Sequence, residues 1–298
     1  MLDFESYSEL ISDHHADSLA MARRLQSLNV PMMSGRAARM LACNKSVAGM
    51  YCHRCKRFHT TNAHLCRDRL CPNCGWSLAR SRSSAAFKAF SALVEVLDAS
   101  VISIVLTMQH DDLSRGLDDA LDLLQSSLSR FMKLKKVRAH MLGAISSIEI
   151  ANEEHGLHPH VHLLYAVDSD YYQDIIKQSE LCEMWQHCLH ADYMPVTYIR
   201  VAYSSLGSND LKKAVYECTK YNIKTADWLH MPDETLQTAA AAIHGRHFFT
   251  VYGKNFRRQF AALAAESEHE EIPKLCDKCG DILKSIVYNT DNREVIDI

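Results

Sequence analysis

The stretch LGAISSIEIANEEHGLHPHVHLLYAV, Leu142–Val167, decides the fold. Leu142–Ile150 and His160–Val167 are rich in apolar and β-branched residues and read as two strands. The loop between them lets the strands pair antiparallel. Residues i and i+2 of a strand share a face. His160 and His162 therefore project together, and Val161 points the other way, into a core. Two imidazoles on one face at the mouth of an apolar run are a ready-made ligand pair for a metal ion. A hard divalent ion needs a third donor, and Glu149, near the end of the first strand, comes beside the pair if the two strands meet. Glu153 and Glu154 are alternatives in the turn. Pro159 limits ladder pairing, so the second strand begins near His160 and leaves His155 and His158 in the loop. The zinc-protease pattern HExxH is absent.

Outward from this stretch, Val101–Met108 (VISIVLTM), Val196–Val201 and His247–Tyr252 read as further strands. Ser77–Leu97, Leu117–Leu134, Tyr171–His190, Asp210–Ile223 and a basic segment from Asn255 read as helices. Residues 1–42 look helical, with amphipathic spacing over Asp17–Leu28. This mixture predicts an α+β fold, a central antiparallel sheet flanked by helices, rather than a parallel βαβ series. The expected division is a helical N-terminal segment (1–42), a metal-held knuckle with a basic helix (43–98), the main α+β domain (99–262) and an acidic C-terminal tail (263–298).

Six of the 11 cysteines lie between Cys43 and Cys74. In a reducing compartment such crowding favours metal ligation over disulfides. Cys52-x2-Cys55 and Cys71-x2-Cys74 have the spacing of a two-knuckle Zn²⁺ site, in which four thiolates close a tetrahedron of structural type. Cys66 sits five residues before Cys71 and competes for a place in it. Cys43, His53, His59 and His64 are weaker candidates. Cys276-x2-Cys279 is half of a second site without a matching pair nearby, and Cys182, Cys188 and Cys218 fall within helical patterns as core residues.

The net charge of −3 hides an uneven distribution. Arg54, Lys56, Arg57, Arg67, Arg69, Arg80, Arg82 and Lys88 face only Asp68 between Tyr51 and Phe90. Arg130–Arg138 and Lys254–Arg258 are two more basic runs. The acids collect at Asp111–Asp122 and from Glu266 onward. Basic runs beside candidate metal motifs point to phosphate contact, that is, to a nucleic acid. No apolar run approaches the roughly 18 residues that span a bilayer. Met1–Leu10 lacks the basic start of a signal peptide. A cytoplasmic protein with no membrane partner is expected.

Val215–Lys224 reads as helical, which puts Glu217 and Tyr221 one turn apart on one face and Lys220 and Lys224 beside them. A tyrosine can attack a phosphodiester if a cation or metal activates its phenol, whose ordinary pKa is about 10. Glu217 can polarise a water at the same place. Tyr216 competes as nucleophile but lies well around the helix from that face.

Taken in order, LCRDRLCPNCGW, VISIVLTM, SIEI followed by GLHPHVHLLYAV, and AVYECTKYNIK resemble the plasmid rolling-circle replication initiators (Rep) of the HUH endonuclease superfamily, the group of small Gram-positive-type plasmids. The likeness runs from about Cys52 to Lys224 and on toward Arg258 through HGRHFFTVYGKNFRR. HPHVH and ECTKY are its most specific parts. The resemblance implies an antiparallel sheet with the His pair on a middle strand and the tyrosine on a helix facing it. It implies Mg²⁺ or Mn²⁺ on His160, His162 and Glu149, Tyr221 as nucleophile, and Glu217 directing the water that ends the cycle. Attack by Tyr221 would leave a 5′-phosphotyrosine and a free 3′-OH. Arg67, Arg69, Arg80, Arg82, Lys220 and Lys224 become DNA contacts. The partners become a plasmid double-strand origin, its nicked strand, and a host helicase and DNA polymerase. The alternatives are a related transposase or relaxase, and a zinc-finger DNA-binding regulator without catalysis. The second CxxC and the acidic C-terminal segment lie outside the likeness.

Overall fold

The computed structural model describes residues 2–109, 116–153, 156–205, 208–220, 228–268 and 273–297. The chain opens with strand β1 (Leu2–Asp3), helices α1 (Phe4–Ser27) and α2 (Pro31–Leu41), the hairpin strands β2 (Ser46–Cys52) and β3 (Arg57–Ala63), and helix α3 (Pro72–Leu97). Next come β4 (Ser100–Leu106), α4 (Leu117–Phe131), α5 (Lys135–Ala139), β5 (Met141–Glu153), β6 (Gly156–Val167) and α6 (Gln178–Leu189). Then follow β7 (Thr197–Ser204), β8 (Ser208–Asn209), α7 (Leu211–Thr219), α8 (Asp233–Ala242), β9 (Phe249–Tyr252), α9 (Lys254–Glu268), β10 (Lys284–Asn289) and β11 (Glu294–Asp297). These elements fall into two compact units, Met1–Leu78 with Thr225–Gln237 and His269–Ile298, and Ala79–Lys224 with Thr238–Glu268. The fold is α+β, with antiparallel sheets and helices packed on them. No described helix is long and apolar enough to cross a membrane.

The second unit holds the sheet β8-β7-β4-β6-β5-β9, antiparallel throughout. β6 is internal, between β4 and β5. Its even-numbered residues Leu164 and Ala166 share a face with Ile145 and Val101, and that face packs on Ala85, Ala86, Ala89 and Phe90 of α3, Val215 and Cys218 of α7, and Phe256 of α9. Its odd-numbered residues from Pro159 to Val167 are buried on the opposite face. There Tyr165 donates from its hydroxyl to the Val137 carbonyl at 2.7 Å. Gly143 is required where α9 crosses β5, because a Cβ there would lie 2.3 Å from the Phe256 ring.

β6 begins at Gly156, earlier than the sequence suggests, so Pro159 and His158 lie within it. The β4 ladder ends with Leu106 opposite Val161, so Pro159 lies beyond it, where a residue without N–H is tolerated. The Tyr171–His190 segment divides into a 3₁₀ turn at Ser169–Gln173 and then α6.

The first unit holds the sheet β1-β3-β2-β10-β11. α1 buries Tyr7, Ile11, His15, Ser18, Ala22 and Leu25, a succession of i, i+3 and i, i+4 steps along one stripe. Two expectations fail in this unit. Residues 43–75 are not an aperiodic knuckle but contain the β2–β3 hairpin. The segment beyond residue 263 is not a tail: α9 runs to Glu268, and β10 pairs with β2 from Lys284↔Tyr51 to Asn289↔Ser46. The apolar residues of β10 that the sheet buries are Ile286 and Tyr288, too few for a period-2 signal, and the partner strand lies more than 200 residues upstream.

Candidate functional site

The β5–β6 register places Glu149 directly opposite His160 and Ser147 opposite His162. Directly paired residues project from the same face. The imidazoles and the carboxylate therefore converge without any loop. His162 Nε2 lies 2.9 Å from Glu149 Oε2 and 3.1 Å from His160 Nε2, and His160 Nε2 lies 3.5 Å from the same oxygen. Glu149 is buried, and both histidines are partly open to solvent. Two nitrogens and a carboxylate oxygen within 4.8 Å of one another could hold one divalent ion. Two imidazoles and one carboxylate are a donor set for a divalent ion that keeps open coordination positions.

A fourth group closes this cluster. Lys220 Nζ lies 3.2 Å from Glu149 Oε2 and donates to Glu217 Oε2 at 2.7 Å. Burial by itself pushes the Glu149 carboxyl up. Hydrogen bonds with His160 and His162 and the Lys220 charge outweigh it and hold the group well below the usual carboxylate range. Burial likewise works to lower the Lys220 ammonium, but Glu217 and Glu149 reverse the sign and raise it. The result is a fixed carboxylate and a fixed ammonium side by side. His158 is not a loop residue: its Nε2–H donates to the Met108 carbonyl at 2.8 Å, which occupies it structurally. His155 and Glu154 lie outside the described residues. Glu153 ends β5.

α7 packs on β6, with the buried Cys218 thiol 3.5 Å from the His162 carbonyl. Burial pushes that thiol up to about 12. The helix stops at Thr219, short of the expected Ile223. Lys220 takes an extended ψ of 175° while its N–H still bonds the Tyr216 carbonyl at 2.7 Å. Tyr221 and Lys224 lie outside the described residues. Tyr216 is exposed, on the side of α7 away from the buried Val215 and Cys218.

The cysteines form two clusters rather than the single one expected. Cys43, Cys66, Cys71 and Cys74 bring four sulfurs within 4.8 Å, and so do Cys52, Cys55, Cys276 and Cys279. The pairing of Cys52–Cys55 with Cys71–Cys74 is thus corrected: β2 and β3 carry the first pair into a different group from the start of α3. In the first cluster, Cys43–Cys74, Cys66–Cys74 and Cys43–Cys71 are each 3.5 Å apart. The Cys66 and Arg67 N–H groups donate to Cys43 Sγ and Cys74 Sγ. Hydrogen bonds from Cys43, Cys66 and Cys74 hold the Cys71 thiol well below the ordinary cysteine range. Cys43, ranked as a weaker candidate by spacing, lies just beyond α2 and is the fourth member of this cluster. His53, His59 and His64 belong to neither cluster.

Of the proposed DNA contacts, Arg67 and Arg80 are exposed and Arg69 is half-buried. Arg82 lies over the Phe249 ring, 4.4 Å from its centroid, so part of its role is packing. Lys220 belongs to the carboxylate cluster described above.

Comparison with known proteins places these residues in a family. The Rep_1 family, described as "Replication protein", matches residues 57–285. "Protein rep" of Lactiplantibacillus plantarum is 29% identical over 198 residues, 61% of this chain and 62% of that protein. "Protein rep" of Streptococcus pneumoniae is 30% identical over 169 residues, 54% of this chain and 52% of that protein. "Protein rep" of Bacillus amyloliquefaciens is 26% identical over 253 residues, 78% and 71% of the two chains. The chain thus spans about half to three fifths of the length of the first two relatives. No solved structure matches it significantly. With the match covering most of the sequence, including His160, His162, Glu149, Glu217 and Tyr221, the chain belongs to the Rep_1 family of replication proteins.

Proposed function

We propose that this chain initiates rolling-circle plasmid replication by nicking one strand of a double-strand origin and rejoining it through Tyr221. The observation that carries the reading is the placement of Lys220, the residue before Tyr221, with its ammonium 3.2 Å from Glu149. One peptide bond therefore separates the proposed nucleophile from a residue anchored in the Glu149–His160–His162 cluster. An internal His-x-His strand in an antiparallel sheet also accords with the HUH endonuclease architecture.

His160, His162 and Glu149 would hold Mg²⁺ or Mn²⁺. When bound, that ion supplies Lewis-acid polarisation of a non-bridging phosphate oxygen. Lys220 adds a fixed positive charge, which favours the phenolate of Tyr221 as its proton leaves. The Tyr221 oxygen forms a bond to phosphorus as the bond from phosphorus to the 3′ oxygen breaks. The 3′ oxygen takes up a proton and becomes the primer terminus for a host polymerase, with a helicase opening the duplex. The phosphate stays on the tyrosine, so no phosphoester energy is lost before rejoining. Glu217, half-exposed beside Lys220, would direct the water that releases the enzyme. The Cys43–Cys66–Cys71–Cys74 cluster would hold a structural Zn²⁺, since four thiolates leave no open position.

Incubating the chain with a supercoiled plasmid carrying the origin and Mn²⁺ tests this. Relaxation with a covalent protein–DNA adduct is expected, and Tyr221→Phe should abolish the adduct while DNA retardation persists. Retardation without any adduct from the native chain would favour the non-catalytic regulator. An undiminished adduct from the variant would place the nucleophile elsewhere.

A further inference from the structure

The Cys52–Cys55–Cys276–Cys279 cluster stands apart from the proposed nicking chemistry and from the first cysteine cluster. We propose that it is a second Zn²⁺ site, a two-knuckle clamp that fastens the C-terminal β10–β11 hairpin to the β2–β3 hairpin. Four thiolates in one place are compatible with a soft tetrahedral ion and little else.

The two CxxC segments adopt the same local geometry although more than 200 residues separate them. In the first, the Lys56 N–H donates to the Cys52 carbonyl at 2.8 Å and Lys56 has φ 54°. In the second, the Gly280 N–H donates to the Cys276 carbonyl at 2.9 Å and Gly280 has φ 74°. Each knuckle is therefore a one-turn loop closed by a left-handed residue four positions after its first cysteine, which aims both sulfurs to the same side. A lysine is strained there and glycine is not, so the upstream turn is kept at a conformational cost.

The spacing of the sulfurs fits an ion and not a disulfide. Cys52 Sγ and Cys279 Sγ are 3.6 Å apart, and all four sulfurs lie within 4.8 Å. A tetrahedral site with Zn–S of about 2.3 Å separates its sulfurs by about 3.8 Å, whereas a disulfide needs about 2.05 Å. The Cys55 N–H donates to Cys52 Sγ at 3.3 Å, a contact that stabilises thiolate charge. Around the cluster the knuckles are cross-linked by charge: Arg54 lies 3.5 Å from Asp281, and Arg57 lies 3.5 Å from Asp277. Leu283 and the half-buried Met50 pack beside the cysteines. Of the candidate structural ligands, Cys276 and Cys279 come from the C-terminal segment, so this ion, unlike the first, would reinforce the β10–β2 pairing.

The test is a metal count on the full reduced chain, made in a His160→Ala/His162→Ala background so that the imidazole site cannot contribute zinc. Elemental analysis and native mass spectrometry should give two zinc ions per chain, and zinc X-ray absorption should show sulfur neighbours only. Adding Cys276→Ser and Cys279→Ser should lower the count to one. One zinc per chain before the serine substitutions, an unchanged count after them, or iron in place of zinc would overturn the proposal. Because none of these readings involves nicking, loss of the Tyr221 chemistry would leave the result standing, and the reverse also holds.

Discussion

At Glu149 two imidazoles and an ammonium converge on a single carboxylate, and the residue that ties this cluster to the proposed water path is Glu217. Glu217→Ala removes one of two partners of Lys220 but leaves Glu149, His160 and His162 in place. Nicking should persist within a few-fold, and hydrolytic release of the adduct should slow by at least about tenfold, in keeping with the 10²–10⁴-fold scale of general acid–base catalysis. Single-turnover adduct decay measures it, and equal loss of both steps would contradict the separate role given to Glu217. A second residue-scale case lies beside the first cysteine cluster. Arg36 Nε and Nη2 each donate at 2.8 Å to the two oxygens of Asp68, and both residues are buried. Asp68 also accepts from the Leu70 N–H, so it shapes the loop from Cys66 to Cys71. Arg36→Ala would leave a buried carboxylate with only the exposed Arg39, 3.6 Å away, as counter-charge. A loss of about 3–5 kcal/mol is expected in urea unfolding; a change under about 1 kcal/mol would mean that water or Arg39 takes over the charge.

Two elements decide the geometry around the cluster. The β5–β6 hairpin fixes the donors because direct cross-strand pairing sets Glu149 against His160; a slip of one residue would turn Glu149 into the opposite face. Helix α9 holds β5 through Phe256 over Gly143. Gly143→Ala drives a Cβ into that ring, and overpacking of this kind costs about 1–3 kcal/mol. Thermal unfolding of the variant should show this loss, with Mn²⁺-dependent nicking reduced at raised temperature first. An unchanged melting point would show that the ring moves aside freely.

On the scale of the whole chain, the two units should differ in their dependence on metal. Structural Zn²⁺ contributes apparent binding energies of about 10–16 kcal/mol in small domains, comparable to the entire stability of a domain. Strong chelation under reducing conditions should therefore loosen the unit that contains β2, β3 and β10, while the β4–β6–β5 sheet, with its apolar core of Phe90, Leu164, Val215 and Phe256, persists. Hydrogen exchange resolves this: faster exchange in β2, β3 and β10 with unchanged protection in β4, β5 and β6 is the expected outcome. Equal loss in both sheets would show that the ions stabilise the protein globally rather than one unit.

The sequence by itself determined the antiparallel β5–β6 strand pair, the sharing of one face by His160 and His162, the extent of α4 and the greater part of α3, the start of α9, and the family. These follow from period-2 and period-3.6 patterns and from local motifs, which depend on near neighbours. It read residues 1–42 as helical but saw the amphipathic spacing of α1 only from Asp17, because Ser12, His15 and Ser18 interrupt the apolar stripe. Their burial is stabilised by partners no window can see: Tyr288 for Ser12, the Cys43 carbonyl and Asp291 for His15. Only the tertiary structure decided which cysteines share a cluster, the place of β10 beside β2, the end of α7 at Thr219, and the bridge from Lys220 to Glu149. Each of these is a contact between segments remote in the chain or a competition between local propensity and packing. Spacing states which residues are able to bind, whereas the path of the backbone through the fold selects which of them meet.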